Sequence, residues 1–263
     1  MKDIAKNINI LGGFCGKRDV SELTQKQLQD TCGITQADVM VLFGGSILCG
    51  GNVLAQAMKN RVAKTYVIVG GAGHTTETLR KKMHKEFPEI ETDELPEAQV
   101  FAGYLKHRYG LEADFLECES TNCGNNITYL LDLLKKQGIS FKSIILSQDA
   151  TMQRRMEAGL RKYVEDEVQI INYAVYAAKV TERNHVLTYE KKIWGMWDME
   201  RYVSLLLGEI PRLTDDENGY GPAGKDFIAH VDIPDRVKQA FDALRDEYVV
   251  RNANPLYASL SLI

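Results

Sequence analysis

Arg154 and Arg155 stand where a helix does not favour cations. Ser143-Ile144-Ile145-Leu146-Ser147 reads as a buried strand, Gln148-Asp149-Ala150-Thr151 turns the chain, and the two arginines fall in the first turn of the next helix. A helix N-terminus carries roughly half a positive charge, so an exposed cation there costs about 0.3–1 kcal/mol. An anion held between the pair and the exposed backbone N–H groups would offset that cost. The competing reading pairs the arginines with Asp149 and Glu157 as ordinary surface charges.

Three other strand ends carry turns of the same kind. They are Phe43-Gly44-Gly45-Ser46, Val69-Gly70-Gly71-Ala72-Gly73-His74 and Ser120-Thr121-Asn122-Cys123-Gly124-Asn125-Asn126. Glycine lets a ligand approach the backbone and meet its N–H groups. One such turn means little, because strand-to-helix turns use glycine anyway. Four on one rim predict a ligand pocket at the carboxyl ends of the strands. Its expected lining is Gly44, Gly45, Gly70, Gly71, Gly73, His74, Ser120, Asn122, Asn126, Gln148, Arg154 and Arg155. Cys123, at a helix start on the same rim, is the cysteine expected to react first, against the simpler reading of a small buried side chain.

The elements that position these turns are legible as periodicity. Val39–Phe43, Thr65–Val69, Ala113–Glu117, Ser143–Leu146 and Val168–Asn172 are strand candidates. Ile127, Leu130, Leu131 and Leu134 make one apolar helix face. The crossover to the third strand holds two helical segments, near 75–87 and 96–109, the second with Pro96 at its first position and Asp93 or Glu94 as cap. Thr24 to Gln27 reads as a capping box between Leu23 and Leu28, and Gly33 closes that short helix. Asp198 caps a helix marked by Met199, Tyr202, Val203 and Leu206, and Val237, Ala240, Phe241 and Leu244 mark a last one. Strands alternating with helices predict a Rossmann-like three-layer α/β/α fold with a mostly parallel five-stranded sheet. The expected division is an α/β domain over 36–195, with 1–35 and 196–263 as a helical appendage packed on it.

Several function classes fall away. The chain lacks the G-x-x-x-x-G-K-[ST] loop, an ordered G-x-G-x-x-G fingerprint, a ribose-binding acid after the second strand and a G-x-S-x-G elbow. Asp215 to Gly219 fails as a calcium loop, because the twelfth position is Lys225. The 263 residues are 44% hydrophobic and 26% charged, with a net charge of −4, which suits a globular protein and disfavours general nucleic-acid or membrane-surface binding. The five cysteines include no C-x-x-C pair, and the five histidines have no ligand spacing, so neither a disulfide framework nor a metal is expected. No run approaches a membrane span of roughly 18 apolar residues, and no apolar signal region opens the sequence, so a cytoplasmic protein is expected.

Three stretches are specific enough to suggest relatives: Ser120 to Gly124, Gln148-Asp149 with Thr151 to Arg155, and Gly219-Tyr220-Gly221-Pro222 leading to Asp226-Phe227-Ile228. With Trp197 to Arg212, including Glu200-Arg201-Tyr202 and Pro211-Arg212-Leu213, they make residues 38–235 resemble the YdcF-like (DUF218) family of bacterial proteins. SanA and ElyC are its membrane-anchored branches, and this chain looks like the soluble one. The resemblance implies a Rossmann-like fold and site positions at Gly44, Gly70, Gly71, Glu97, Ser120, Asn122, Asn126 and Arg154. It also implies S-adenosylmethionine as the leading ligand. Two positions depart from the family: Asn125 replaces a common Glu, and the Gln148–Arg155 turn lacks its frequent His. Carboxylate chemistry then falls to Glu97 or Asp149, although Glu97 is equally a favourable first-turn acid. The expected function is enzymatic binding of an anionic or nucleotide-like small molecule, as in a transferase that uses S-adenosylmethionine. The alternatives are a hydrolase or transferase acting on a phosphorylated or glycosylated envelope precursor, and a non-catalytic ligand sensor.

Overall fold

The computed structural model describes residues 3–252. Its strands are β1 (Ala37–Phe43), β2 (Ala63–Val69), β3 (Phe115–Glu117), β4 (Ser143–Ser147) and β5 (Gln169–Asn172), followed by a hairpin of β6 (Val180–Arg183) and β7 (Val186–Tyr189). The helices are α1 (Ile4–Cys15), α2 (Gln25–Cys32), α3 (Cys49–Lys59), α4 (Thr76–Glu86), α5 (Glu97–Tyr109), α6 (Cys123–Lys136), α7 (Gln153–Arg161), α8 (Met199–Leu213) and α9 (Asp235–Leu244). The five-stranded sheet is parallel throughout, in the order β3-β2-β1-β4-β5. All five expected strands are present, and the fold is the expected Rossmann-like three-layer α/β/α.

Alternation along β1 builds the layers. Val39, Val41 and Phe43 face Ile127, Leu130 and Leu134 of α6 with Met156 and Leu160 of α7. Met40 and Leu42 face the opposite core, with Leu54 of α3 and Phe101 of α5. The chain extends the sheet through β2 to β3, then returns through α6 to β4 on the other side of β1. The switch point therefore lies between β1 and β4, and crevices for ligands open there.

Three elements differ from the sequence expectation. Helix α1 was not anticipated, because Gly12, Gly13 and Gly16 interrupt its pattern. It forms by burying Ile8, Leu11 and Phe14 against α8 and α9. A side chain at Gly12 would strike the Tyr202 hydroxyl at 2.6 Å, so α1 lies close on α8. The β6–β7 hairpin turns through Asn184 and His185, both at positive φ (51° and 62°), the geometry that tight hairpin turns require. Pro96 is the N-cap of α5 rather than its first residue, with φ −62° and ψ 155°, and Glu97 begins the helix. The capping at Thr24, Asn122 and Asp198 is as expected: each side chain accepts the backbone N–H three residues on.

Candidate functional site

At the carboxyl ends of β1, β2, β3 and β4 the four turns converge on one cleft. It is lined by Gly44, Gly45, Ser46, Gly70, Gly71, Gly73, His74, Glu97, Ser120, Asn122, Asn126, Gln148 and Asp149, with Thr75, Thr121, Cys123, Thr151, Met152, Trp197, Arg201, Leu205 and Arg251. Two wider depressions lie elsewhere, one between α1 and α9, the other at the amino ends of the strands. Both are shallow and lack the glycine turns, so the narrower cleft at the switch point is the candidate site.

Glu97 is its floor. Its Oε1 accepts the hydroxyls of Thr75 (3.1 Å) and Thr76 (2.9 Å). The backbone beneath is fixed, since Glu97 N–H and Ala98 N–H donate to the carbonyls of Gly71 and Gly70. Glycine at 44 and 70 is what makes room for the carboxylate. The first side-chain carbon at Gly44 would lie 2.5 Å from Glu97 Oε2, and one at Gly70 would lie 3.0 Å from Glu97 Cβ. Burial raises the Glu97 pKa; the two threonine hydroxyls and Arg80 oppose it without cancelling it. A carboxylate kept this dry suits proton transfer or a partner that supplies hydroxyl or positive charge.

Asp149 has a different role. Its Oδ1 accepts Thr151 N–H (2.9 Å), Thr151 Oγ1 (2.9 Å) and Tyr176 Oη (2.6 Å), while Oδ2 accepts Trp197 Nε1 (2.8 Å). These bonds occupy both oxygens and make Asp149 a fastener for the turn and for the Trp197 ring. Gln148 and Ser120 also brace backbone, Gln148 accepting Asp149 N–H at 2.6 Å and Ser120 Oγ accepting Gly71 N–H at 3.2 Å. Gly71 itself serves packing, because a side chain there would meet the Ser120 carbonyl at 2.3 Å.

The arginine pair does not converge on one anion. Arg154 leaves the cleft: its Nε donates to the Phe14 carbonyl at 2.6 Å, and its guanidinium stacks 4.3 Å above the Phe14 ring. Arg155 is buried beneath the cleft in a two-bond pair with Glu209, at 2.6 and 3.0 Å. Asp149 and Glu157 are not their partners either, since Glu157 pairs with Lys17 at 2.5 Å. The C-terminal part of the chain supplies the cationic rim instead. Arg201, in the first turn of α8, lies 5.8 Å from the Trp197 ring, and Arg251 reaches His74 at 2.6 Å. Trp197 and Arg201 stand in a stretch that carried the family resemblance, so their signal was present. Arg251 follows the last helix, with no motif around it. Ser46 was missed too; its buried hydroxyl lacks a partner among the described residues.

At the start of α6, Asn122 Oδ1 accepts Asn125 N–H (3.0 Å), and Asn125 Oδ1 accepts Asn122 Nδ2 (2.7 Å) and Thr121 Oγ1 (3.2 Å). Asn125 thus closes the helix start through side chains, and it is Asn126 that lines the cleft.

Cys123 opens α6 on the cleft wall. Burial raises the thiol pKa of Cys15, Cys32, Cys49 (to about 12) and Cys118. Cys123, at a helix start and open to the cleft, is expected to be alkylated first, as peptide mass spectrometry after brief iodoacetamide treatment would show. Earlier labelling of Cys15 or Cys49 would refute this.

No protein-family model matches the chain. Among the described residues, no helix is long and apolar enough to cross a membrane.

Proposed function

We propose that the cleft binds a small molecule with an adenosine-like body and an anionic end. The chain is then a YdcF-like protein, S-adenosylmethionine is the leading candidate ligand, and the protein is a transferase that uses it. One observation carries this reading: the cleft at the switch point is bipolar, with the Glu97 carboxylate on its floor and Arg201 and Arg251 at its mouth. A ligand that presents hydroxyl groups or a cationic sulfur inward, and a carboxylate or phosphate outward, matches both poles. A phosphate placed deepest would meet Glu97, which disfavours a simple phosphate-ester hydrolase. Trp197, its ring held by Asp149, offers an aromatic face to a base. Five unpaired cysteines suit a reducing compartment, so we place the protein in the cytoplasm.

Calorimetric titration with S-adenosylmethionine, S-adenosylhomocysteine, ADP and adenosine tests the reading. At least one anion-bearing probe is expected to bind the wild type, and Arg201→Ala is expected to weaken it by about 1.5–3 kcal/mol, as for a lost charge-assisted hydrogen bond. Arg154→Ala, outside the cleft, should leave that affinity unchanged. Turnover of phosphate esters without adenosyl binding would establish the hydrolase instead. Binding without turnover of any acceptor would establish a sensor.

A further inference from the structure

The cleft mouth carries a surplus of positive charge. Arg155 and Arg212 both lie against Glu209, at 2.6 and 3.8 Å. Arg201 and Arg251 have no carboxylate at ion-pair distance among the described residues. Burial lowers the His74 pKa, and the surrounding arginines, Arg251 foremost, add to this and bring it to about 4. His74 is thus neutral, and its Nε2 can accept from Arg251 Nη2 at 2.6 Å. Burial lowers the Arg251 pKa as well, with Arg212 and Arg201 adding to it and Glu209 opposing it without cancelling it. Half-buried cations without counter-charge are costly and favour the arrival of an anion.

Arg251 stands on a segment without regular structure that follows the last helix. Beyond α9 the chain runs back along α8 as a strap, with Tyr248 and Val250 packed on the core and Val249 exposed. At Arg251 the strap meets α8 through one long bond, Arg251 N–H to the Ser204 carbonyl at 3.4 Å. Gly208 provides the notch: a side chain there would lie 2.7 Å from the Arg251 carbonyl and 3.0 Å from its Cβ. Arg251 thereby links α8 to the β2–α4 turn across the mouth. The space left inside is about 80 Å³, well short of the roughly 300–1,000 Å³ of ordinary ligand pockets. Entry of a nucleoside-sized ligand requires the lining to give way.

We propose that Arg251 is a specificity-determining residue on a closing strap. It rests on His74 in the empty protein and transfers to the anionic end of the ligand, closing the strap over it. This rests on the cleft reading given above. An anionic oxygen pair outcompetes a neutral imidazole nitrogen, because it offers the guanidinium an opposite charge and a second, parallel hydrogen bond where the imidazole offers a single neutral acceptor.

The test is calorimetric titration of the full chain, wild type, Arg251→Ala and Arg251→Lys, with ADP, S-adenosylmethionine and adenosine. Circular dichroism first confirms that each variant folds. Arg251→Ala is expected to weaken the anion-bearing probe that binds by tenfold or more and to leave adenosine within twofold. Arg251→Lys should fall between. Hydrogen exchange over 248–252 should slow when that probe binds the wild type. Equal affinity in wild type and Arg251→Ala, or an equal loss for adenosine, would overturn the strap proposal while leaving the cleft reading intact. Failure of all three probes to bind the wild type would overturn both.

Discussion

Glu97→Gln is expected to make the empty protein more stable near neutral pH and to weaken ligand binding. Burial raises the folded-state pKa of Glu97 above its ordinary 4.5. Folding then favours the protonated form, so ionised Glu97 opposes folding. That penalty is absent below the unfolded pKa, grows as pH rises through the window above 4.5, and is complete above the folded pKa. Glutamine keeps an oxygen for Thr75 and Thr76 without the charge. It forfeits the favourable term of a first-turn acid, about 0.3–1 kcal/mol at exposed sites, but the raised pKa shows that desolvation outweighs the favourable contacts. The gain should be present at pH 7 and should vanish as pH falls below the ordinary carboxylate value of 4.5. Loss of ligand affinity should reach about 1.5–3 kcal/mol. Urea denaturation from pH 3.5 to 8, with titration of an adenosyl probe, checks both. A variant less stable at every pH, with unchanged affinity, would make Glu97 a helix-start residue and nothing more.

The sequence disclosed what local chemistry decides. The apolar run at 39–43 and the face made by Ile127, Leu130 and Leu134 are periodic signals, and both elements formed where expected. Asn122 capped its helix because an Asn before an apolar face has a local reason to do so. The rim of glycine turns was legible for the same reason, although Gly44 and Gly70 serve the Glu97 carboxylate more directly than they serve a ligand. What local chemistry could not reveal was the identity of each partner across the fold. Arg154 and Arg155 drew attention because a helix start disfavours them, yet their compensation is a carbonyl of α1 and a carboxylate of α8. Those partners lie 140 and 54 residues away. Asp149 looked catalytic until its four donors were in place. Arg251 carries no pattern at all, since its position depends on Gly208 and on the path of a strap without regular structure. Helix α1 was hidden by glycines whose purpose, a close crossing with Tyr202, exists only in the packed molecule.

The same long-range pairing predicts the largest loss of stability. Glu209 is 1% exposed and binds Arg155 through both oxygens, with Arg212 nearby. Glu209→Ala would leave the Arg155 guanidinium buried without its counter-charge, at a cost of about 3–5 kcal/mol. For a chain of this size that is a fall in Tm of roughly 6–20 °C. Replacing both partners, as in Arg155→Met with Glu209→Leu, should recover most of it, because an apolar pair of similar volume needs no desolvation. The pair also ties α7, which follows the Asp149 turn, to α8, which carries Arg201 and the notch for Arg251. The double variant should therefore fold yet bind an anion-bearing probe more weakly, having lost the tie that holds α8 against α7. Thermal denaturation of the three proteins, followed by titration of the double variant, separates the contributions. A single variant as stable as wild type would show that Arg155 finds another partner. A double variant that binds as tightly as wild type would confine anion recognition to Arg201 and Arg251.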